Sequence, residues 1–284
     1  MRPYRSVLYI PASRERALEK ARELAADAII FDLEDAVSPE EKVRSRDVLG
    51  AALRADYGTR ARIVRVNGLG TEWVDGDLAA FGDHPGVDAV LLPKVGSAAD
   101  LEAVAGRVQA PLWAMLETAK GCLNAGAIAA HERLEGMVMG TNDLAKELGA
   151  RFRSDRLPLM AGLGACVLAA RAQGKIIVDG VFNAFKDEAG LRAECEQGRD
   201  MGFDGAAVRV RRQDADPSRA AGGGERGVRA FGRGDRPGPA DDRGLCRGTG
   251  AGRRGGGGRW PDRREPACGR GRGADQQGRG DCGG

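Results

Sequence analysis

Short apolar segments alternate with amphipathic segments along the first two thirds of the chain, and each apolar segment ends in a polar or charged residue. This pattern predicts buried strands that alternate with helices, and strands buried on both faces belong to a parallel sheet. Seven such units in about 180 residues predict an α/β fold, a (β/α)8 TIM barrel. The seven predicted strands cover residues 6–11, 28–35, 62–67, 89–94, 112–117, 137–143 and 175–179.

The carboxyl ends of the strands build the active site in this fold. Arg65, Glu117 and Asp143 lie at three of these ends. The pattern therefore predicts that these three side chains meet at one face of the barrel and form the candidate site.

Composition bounds the class of protein. No apolar run approaches the roughly 18 residues needed to span a bilayer, and no secretory signal precedes the first strand. The six cysteines show no paired spacing that indicates zinc or a disulfide scaffold. We therefore predict a cytoplasmic protein that does not associate with membranes.

The composition changes after Gly205. Residues 206–284 contain 18 Arg and no Lys against 8 Asp and 2 Glu, and hold 22 of the 44 glycines. Such a segment cannot supply core strands or helices of the kind found upstream. We predict an incomplete barrel of seven units over residues 1–205, followed by an Arg/Gly-rich low-complexity tail over residues 206–284. The eighth strand is expected to be missing.

Two interpretations of the tail compete. It could bind RNA through phosphate contacts and arginine stacking, although no motif repeats regularly in it. Alternatively, the tail is the product of a shifted reading frame. With suitable codons for residues 212–230, the neighbouring frame spells GKTLIHPAQLEAANAAFAP, a short strand and an alanine-rich helix. We favour the frameshift, so nucleic acid is not an expected partner.

Six motifs at the strand ends resemble the HpcH/HpaI aldolase and citrate lyase β-subunit superfamily. They are RSVLYIP (5–11), DLEDAV (32–37), RVN (65–67), PKV (93–95), ETA (117–119) and GTNDL (140–144). Within this superfamily, the segments GTNDLAKELG (140–149) and VDGVFNAF (178–185) are most similar to the malyl-CoA lyase branch, especially its (3S)-malyl-CoA thioesterase members.

The resemblance implies a Mg²⁺-dependent enzyme, with Mn²⁺ as a possible substitute, that acts on short hydroxy-dicarboxylyl-CoA thioesters through an enolate. Arg65 would stabilise the enolate oxygen, because a guanidinium stays charged at any working pH. Glu117 and Asp143 would bind the cation, since Mg²⁺ usually takes one or two carboxylates from a protein. Cleavage of the carbon–carbon bond and hydrolysis of the thioester remain alternatives, as does a CoA-independent pyruvate-type aldolase.

Each assignment has a structural alternative. Arg65 could neutralise the acidic cluster of Asp32, Glu34 and Asp35, which we place behind the catalytic residues. Asp143 could cap the helix that begins near Leu144. A buried Glu117 requires a cation or a proton.

By the resemblance, the positions matching Tyr9, Arg14 and Lys20 contact CoA, and Asn142 contacts substrate. Ser13 has the sequence context of a helix N-cap, and a helix N-terminus favours phosphate. Lys94 is expected to pair with Glu117 or with the acidic cluster. The resemblance also implies a homo-oligomer, a trimer or hexamer. In malyl-CoA lyases the catalytic base is a carboxylate from a C-terminal lid of a neighbouring subunit, and the tail of this chain offers no match to that lid. The chain as it stands is therefore expected to be inactive or badly impaired.

Overall fold

The computed structural model describes residues 4–184 and 186–209, and the strands in this part form one closed parallel barrel in the order β1 to β8. The strands are β1 (Ser6–Pro11), β2 (Ala28–Asp32), β3 (Ala61–Arg65), β4 (Ala89–Leu92), β5 (Leu112–Leu116), β6 (Leu134–Met139), β7 (Ile176–Phe182) and β8 (Gly205–Arg209). All seven predicted strands are present, and the predicted TIM barrel is confirmed.

The helices of the described part lie between the strands. They are α1 (Glu15–Ala21), α2 (Lys42–Ala52), α3 (Val74–Phe81), α4 (Ala98–Ala105), α5 (Ala119–Leu123), α6 (Ala125–Ala129), α7 (Thr141–Glu147), α8 (Met160–Ala172) and α9 (Glu188–Met201). Each helix among these residues is too short or too polar to span a lipid bilayer.

The prediction that the eighth strand is missing is wrong. Gly205–Arg209 forms β8, which pairs with β7 on one side and with β1 on the other. A strand of five residues needs only a few small or branched side chains, and Ala206, Ala207 and Val208 provide them at the start of the segment that we assigned to the tail. The strand therefore crosses the boundary that we placed between residues 205 and 206. The predicted lid and the rest of the tail lie outside the described residues.

Side chains at alternate positions of each strand belong to two different apolar clusters, one inside the barrel and one outside it. Ile30 on β2, Ile63 on β3 and Met115 on β5 belong to the cluster inside the barrel, whereas Ile29 and Phe31 pack in the larger cluster outside it. Successive residues of a strand point to opposite faces. Two positions further along from these inward residues come Asp32, Arg65 and Glu117, so the strand period directs all three towards the top of the barrel interior.

Candidate active site

A cavity of about 180 Å³ opens at the carboxyl ends of the strands. It receives residues from β1, β3, β5, β6 and β7 and from the loops and helix that follow them. Its lining includes six predicted site residues, Tyr9, Asp35, Arg65, Glu117, Asn142 and Asp143, and the other lining residues are Met115, Met139, Gly140, Thr141 and Val181. The structure thus brings Arg65, Glu117 and Asp143 to one small cavity, as the strand ends predict.

Arg65 is 3% exposed and is held in place by a carboxylate from the neighbouring strand. Its Nε and Nη2 donate to the two oxygens of Asp32 at 2.8 and 2.6 Å, and its Nη1 lies 3.0 Å from Glu34 Oε2. Burial alone would lower the pKa of Arg65, but the charge of Asp32 outweighs it and raises the pKa. The guanidinium therefore both pairs with the acidic cluster and stays charged at the cavity wall.

Glu117 is 3% exposed and enters the cavity one residue after β5 ends. Its Oε1 accepts a hydrogen bond of 2.8 Å from the main-chain N–H of Lys94. Burial raises the pKa of Glu117 to about 7, although the charge of Arg65 acts in the opposite direction. A carboxylate in this setting needs a cation to stay ionised at neutral pH.

Gly140 allows Glu117 to occupy this position. A Cβ on Gly140 would lie 2.7 Å from Glu117 Oε2, which is closer than nonbonded atoms approach. The glycine after β6 therefore makes room for the carboxylate that follows β5. One oxygen of Glu117 is held by Lys94 and the other faces the loop that leads to Asp143.

Lys94 follows β4 and has a left-handed backbone, with φ at 54°. This conformation is uncommon for a residue with a side chain. Its main-chain N–H donates to Glu117, while its ammonium pairs with Glu34. Both partners that the sequence offered for Lys94 are therefore engaged, by different groups of the same residue.

Asp143 lies in the first turn of α7, and the N-cap of that helix is Gly140. The alternative in which Asp143 caps the helix is therefore wrong, because the helix begins three residues earlier than the sequence indicated. Asn142 beside it lines the cavity and exchanges two side-chain hydrogen bonds with Asn183, at 2.8 and 3.3 Å.

The donor set fits a hard divalent cation. Two carboxylates, from Glu117 and Asp143, face one cavity, and Mg²⁺ takes oxygen ligands and keeps several positions for water and substrate. Within the described residues, no group of three or more His, Cys, Asp or Glu side chains is arranged as a metal site. A cation here would therefore depend on water and substrate for its remaining ligands.

The residues expected at the CoA end are spread along the first β/α unit. Tyr9 lies in the cavity wall with its ring 5.5 Å from the Arg65 guanidinium carbon, whereas Arg14 and Lys20 are exposed at the start and end of α1. The prediction that Ser13 caps α1 is wrong. Arg14 occupies the cap position, and the Ser13 hydroxyl is buried and has no hydrogen-bond partner among the described residues.

Sequence reasoning missed part of the cavity wall. Met115, Met139, Thr141 and Val181 line it, and Asn183 supports Asn142. Met139 belongs with Met137 to the outer cluster and lines the cavity at the end of β6, whereas Met115 was readable as an inward position two residues before Glu117 on β5. Val181 was not, since the pairing of β7 with β8 shifts register between Val178 and Val181.

Comparison with known proteins places this fold and site in a family. Residues 5–210 match the family HpcH/HpaI aldolase/citrate lyase. The chain belongs to this family.

Individual relatives are similar over the same part of the chain. A (3S)-malyl-CoA thioesterase of Cereibacter sphaeroides is 69% identical over 208 residues, which cover 72% of this chain and 73% of the relative. An L-malyl-CoA/β-methylmalyl-CoA lyase of the same species is 33% identical over 238 residues, 72% of this chain and 74% of the relative. The crystal structure of protein CitE from Mycobacterium tuberculosis in complex with magnesium, acetoacetate and coenzyme A is 31% identical. Its TM-score is 0.64, and the match covers 73% of this chain and 77% of that one.

Proposed function

We propose that this barrel is a Mg²⁺-dependent lyase or hydrolase of short hydroxy-dicarboxylyl-CoA thioesters such as (3S)-malyl-CoA. The observation that carries the proposal is the meeting of Glu117, Asp143 and Arg65 around one cavity of about 180 Å³. A cavity of this size accommodates a small acyl group and leaves the much larger CoA outside. The thioesterase relative at 69% identity and the CitE complex with magnesium and coenzyme A support the same substrate class.

The residues divide the chemistry between them. Glu117 and Asp143 would hold the cation, which supplies positive charge next to an oxygen that becomes anionic. Arg65, fixed by Asp32, presents a permanent positive charge at the same wall and stabilises the enolate oxygen of the thioester. Tyr9 orients the guanidinium through its ring face.

Two reactions use this apparatus. In the lyase reaction, the hydroxyl of malyl-CoA loses its proton to a base and the bond between the CH₂ and the CH(OH) breaks, which gives glyoxylate and an enolate that takes up a proton to become acetyl-CoA. In hydrolysis, water attacks the thioester carbonyl and CoA leaves as the thiolate, which gives malate. Free thiol without glyoxylate from malyl-CoA indicates hydrolysis, and glyoxylate with acetyl-CoA indicates cleavage. Protein produced from a gene whose reading frame is restored in the tail should release one of these product sets, and its failure to release either with Mg²⁺ present contradicts the proposal.

The metal assignment is tested without turnover. Calorimetric titration with Mg²⁺ should show at least a tenfold weaker affinity for Glu117→Gln and for Asp143→Asn, because each loses a charged oxygen ligand. The exposed Asp83→Asn is the matched control and should bind as the wild type does. Unchanged Mg²⁺ affinity in both site variants would show that the cation does not bind in this cavity. A parallel titration with Mn²⁺ tests whether that ion substitutes.

The CoA end is tested by exposed charges on α1. Arg14→Ala should raise KM for malyl-CoA about tenfold with little change in kcat, since it removes binding shared by substrate and transition state. Lys20→Ala should act in the same direction more weakly. Arg16→Ala, an exposed arginine two positions along, is the control. A CoA-independent pyruvate-type aldolase would show no effect of Arg14.

Three further points belong to this proposal. The chain is expected to lack the lid and the catalytic base that it carries, so turnover by this chain should be low, and near-normal turnover would show that the interpretation of the tail is wrong. We also propose that the protein is a cytoplasmic homo-oligomer, to be checked by cell fractionation and light scattering.

Salt-sensitive RNA binding that disappears on deletion of residues 206–284 would favour the nucleic-acid interpretation of the tail instead.

A further inference from the structure

Four side chains form a line of alternating charge behind the cavity. Asp32 binds Arg65 through both oxygens, Arg65 pairs with Glu34 at 3.0 Å, and Glu34 pairs through its other oxygen with Lys94. The side chain of Glu34 is 9% exposed and that of Lys94 is 49% exposed. The line therefore runs from the barrel interior, through Arg65, to solvent.

Lys94 and Glu34 lie behind Arg65 as seen from the cavity. Within the described residues, neither is part of the lining of the 180 Å³ cavity, and both line a neighbouring cavity of about 550 Å³. The Lys94 ammonium pairs with Glu34 and lines this neighbouring cavity, so we expect it to affect a substrate beside Arg65 indirectly. Any influence of Lys94 on that substrate acts through Glu34 and Arg65.

The charge balance gives Lys94 a role. Asp32 binds Arg65 through both oxygens and Asp35 lies 3.8 Å from its Nη1, so a Glu34 without its own cation would add further negative charge directly beside the guanidinium. Such a charge would repel an anionic oxygen brought to Arg65, and burial would strengthen the repulsion. Lys94 supplies the positive charge that cancels Glu34.

The backbone conformation of Lys94 supports the same role. A left-handed φ costs a residue with a side chain more than it costs glycine, and such strain persists where the surrounding structure uses it. Here the strained residue donates its main-chain N–H to Glu117 and its ammonium to Glu34. A glycine could supply the first contact without strain, but only a long cationic side chain supplies the second.

We propose that Lys94 is a positioning residue that keeps Arg65 electropositive towards the substrate by neutralising Glu34. This inference rests on the proposed function for the role of Arg65. Its prediction is specific, because removal of the lysine charge should be harmful only while Glu34 keeps its own charge.

The test is a double-mutant cycle read by binding. The affinity for acetoacetate in excess Mg²⁺ is measured by calorimetry for the wild type, Lys94→Met, Glu34→Gln and the double variant. We expect Lys94→Met to bind 10- to 100-fold more weakly, Glu34→Gln to bind as well as the wild type or better, and the double variant to return to within about threefold of the wild type. Lys94→Arg should also bind within about threefold.

If Lys94 has a purely structural role, the acetoacetate affinities follow a different pattern. The double variant would then bind as weakly as Lys94→Met or more weakly, and that result overturns the proposal, as does unchanged affinity in Lys94→Met. Lys120→Met, which removes an exposed lysine from α5, is the control for loss of a positive charge nearby. Thermal denaturation of each variant confirms that the fold persists.

The cycle can fail independently of the proposed function. If this chain binds acetoacetate with the expected cycle but protein with the restored reading frame releases no product from malyl-CoA, the role of Lys94 is retained and the proposed reaction is lost. Wild-type protein that turns over malyl-CoA while the double variant shows no recovery loses only the role of Lys94. Wild-type protein that does not bind acetoacetate in Mg²⁺ overturns the inference, because Arg65 is then not an anion site.

Discussion

At the scale of single residues, the position of Glu117 depends on what the neighbouring strand leaves empty. A carboxylate that is 3% exposed fits beside β6 only because Gly140 has no side chain. The same glycine begins the turn that carries Asn142 and Asp143 into the cavity. Residues 140–143 therefore provide both the space for the Glu117 carboxylate and the position of Asp143.

Gly140→Ala tests this dependence. A Cβ placed 2.7 Å from Glu117 Oε2 must displace the carboxylate or the loop, so we expect a destabilisation of about 1–3 kcal/mol and a weaker Mg²⁺ affinity. Urea denaturation and calorimetric titration measure the two effects. Gly126→Ala in α6 is the control, because a Cβ there meets no atom within 4 Å and should be neutral or slightly stabilising. Wild-type Mg²⁺ affinity in Gly140→Ala would show that the Glu117 carboxylate is not held where we describe it.

The sequence could predict some of these residues and not others. Arg65 and Glu117 were identifiable because a strand period of two and the end of an apolar run define their positions. The backbone of Lys94 was not, since a positive φ in a lysine arises from contacts with Glu117 and Glu34 that come from other strands. The pairing of Asn142 with Asn183 likewise depends on how β7 lies beside α7.

At the scale of elements, a buried ionic cluster ties β7 to α9 away from the cavity. Arg156 Nη1 contacts both oxygens of Asp179 at 2.7 and 2.8 Å and lies 3.7 Å from Glu194 Oε1 on α9. One guanidinium thus faces two carboxylates. Burial raises the pKa of Glu194 to about 7, the Asp179 charge adds to this, and Arg156 opposes it.

Glu194→Gln tests the cost of this arrangement. Between pH 4.5 and about 7 the folded state keeps a proton on Glu194 that the unfolded state has lost, so the stability from this group falls as pH rises through that window. We expect the free energy of unfolding of the glutamine variant, relative to the wild type, to rise by about 2 kcal/mol between pH 5 and pH 7.5. Urea denaturation at the two pH values measures it, and the exposed Glu196→Gln is the control. A difference that does not change with pH would mean that Glu194 ionises normally.

At the scale of the whole molecule, the barrel closes through β8, the strand that the sequence indicated least clearly. The segment over β8 offers two alanines and one valine between an aspartate and an arginine-rich tail, and we predicted its absence for that reason. What the sequence could not show is that β1 and β7 leave a gap one strand wide. Closure satisfies the main-chain groups along both edges, so even a weak strand former is recruited there.

Gly205→Val tests that closure. Gly205 begins β8 against the main chain that precedes β1, and a Cβ there would lie 2.7 Å from the carbonyl carbon of Tyr4 and 2.8 Å from that of Arg5. The main chain of β8 cannot move away from the main chain before β1 without breaking the pairing of β8 with β1 and β7. We therefore expect Gly205→Val to destabilise the protein by about 3 kcal/mol or more. Gly50→Val, in α2 with no atom within 4 Å of its Cβ, should leave stability nearly unchanged in the same urea denaturation. If both variants unfold as the wild type does, β8 does not close the barrel. If only Gly205→Val is destabilised, the strand nearest the tail is an integral part of the fold that holds Arg65 and Glu117.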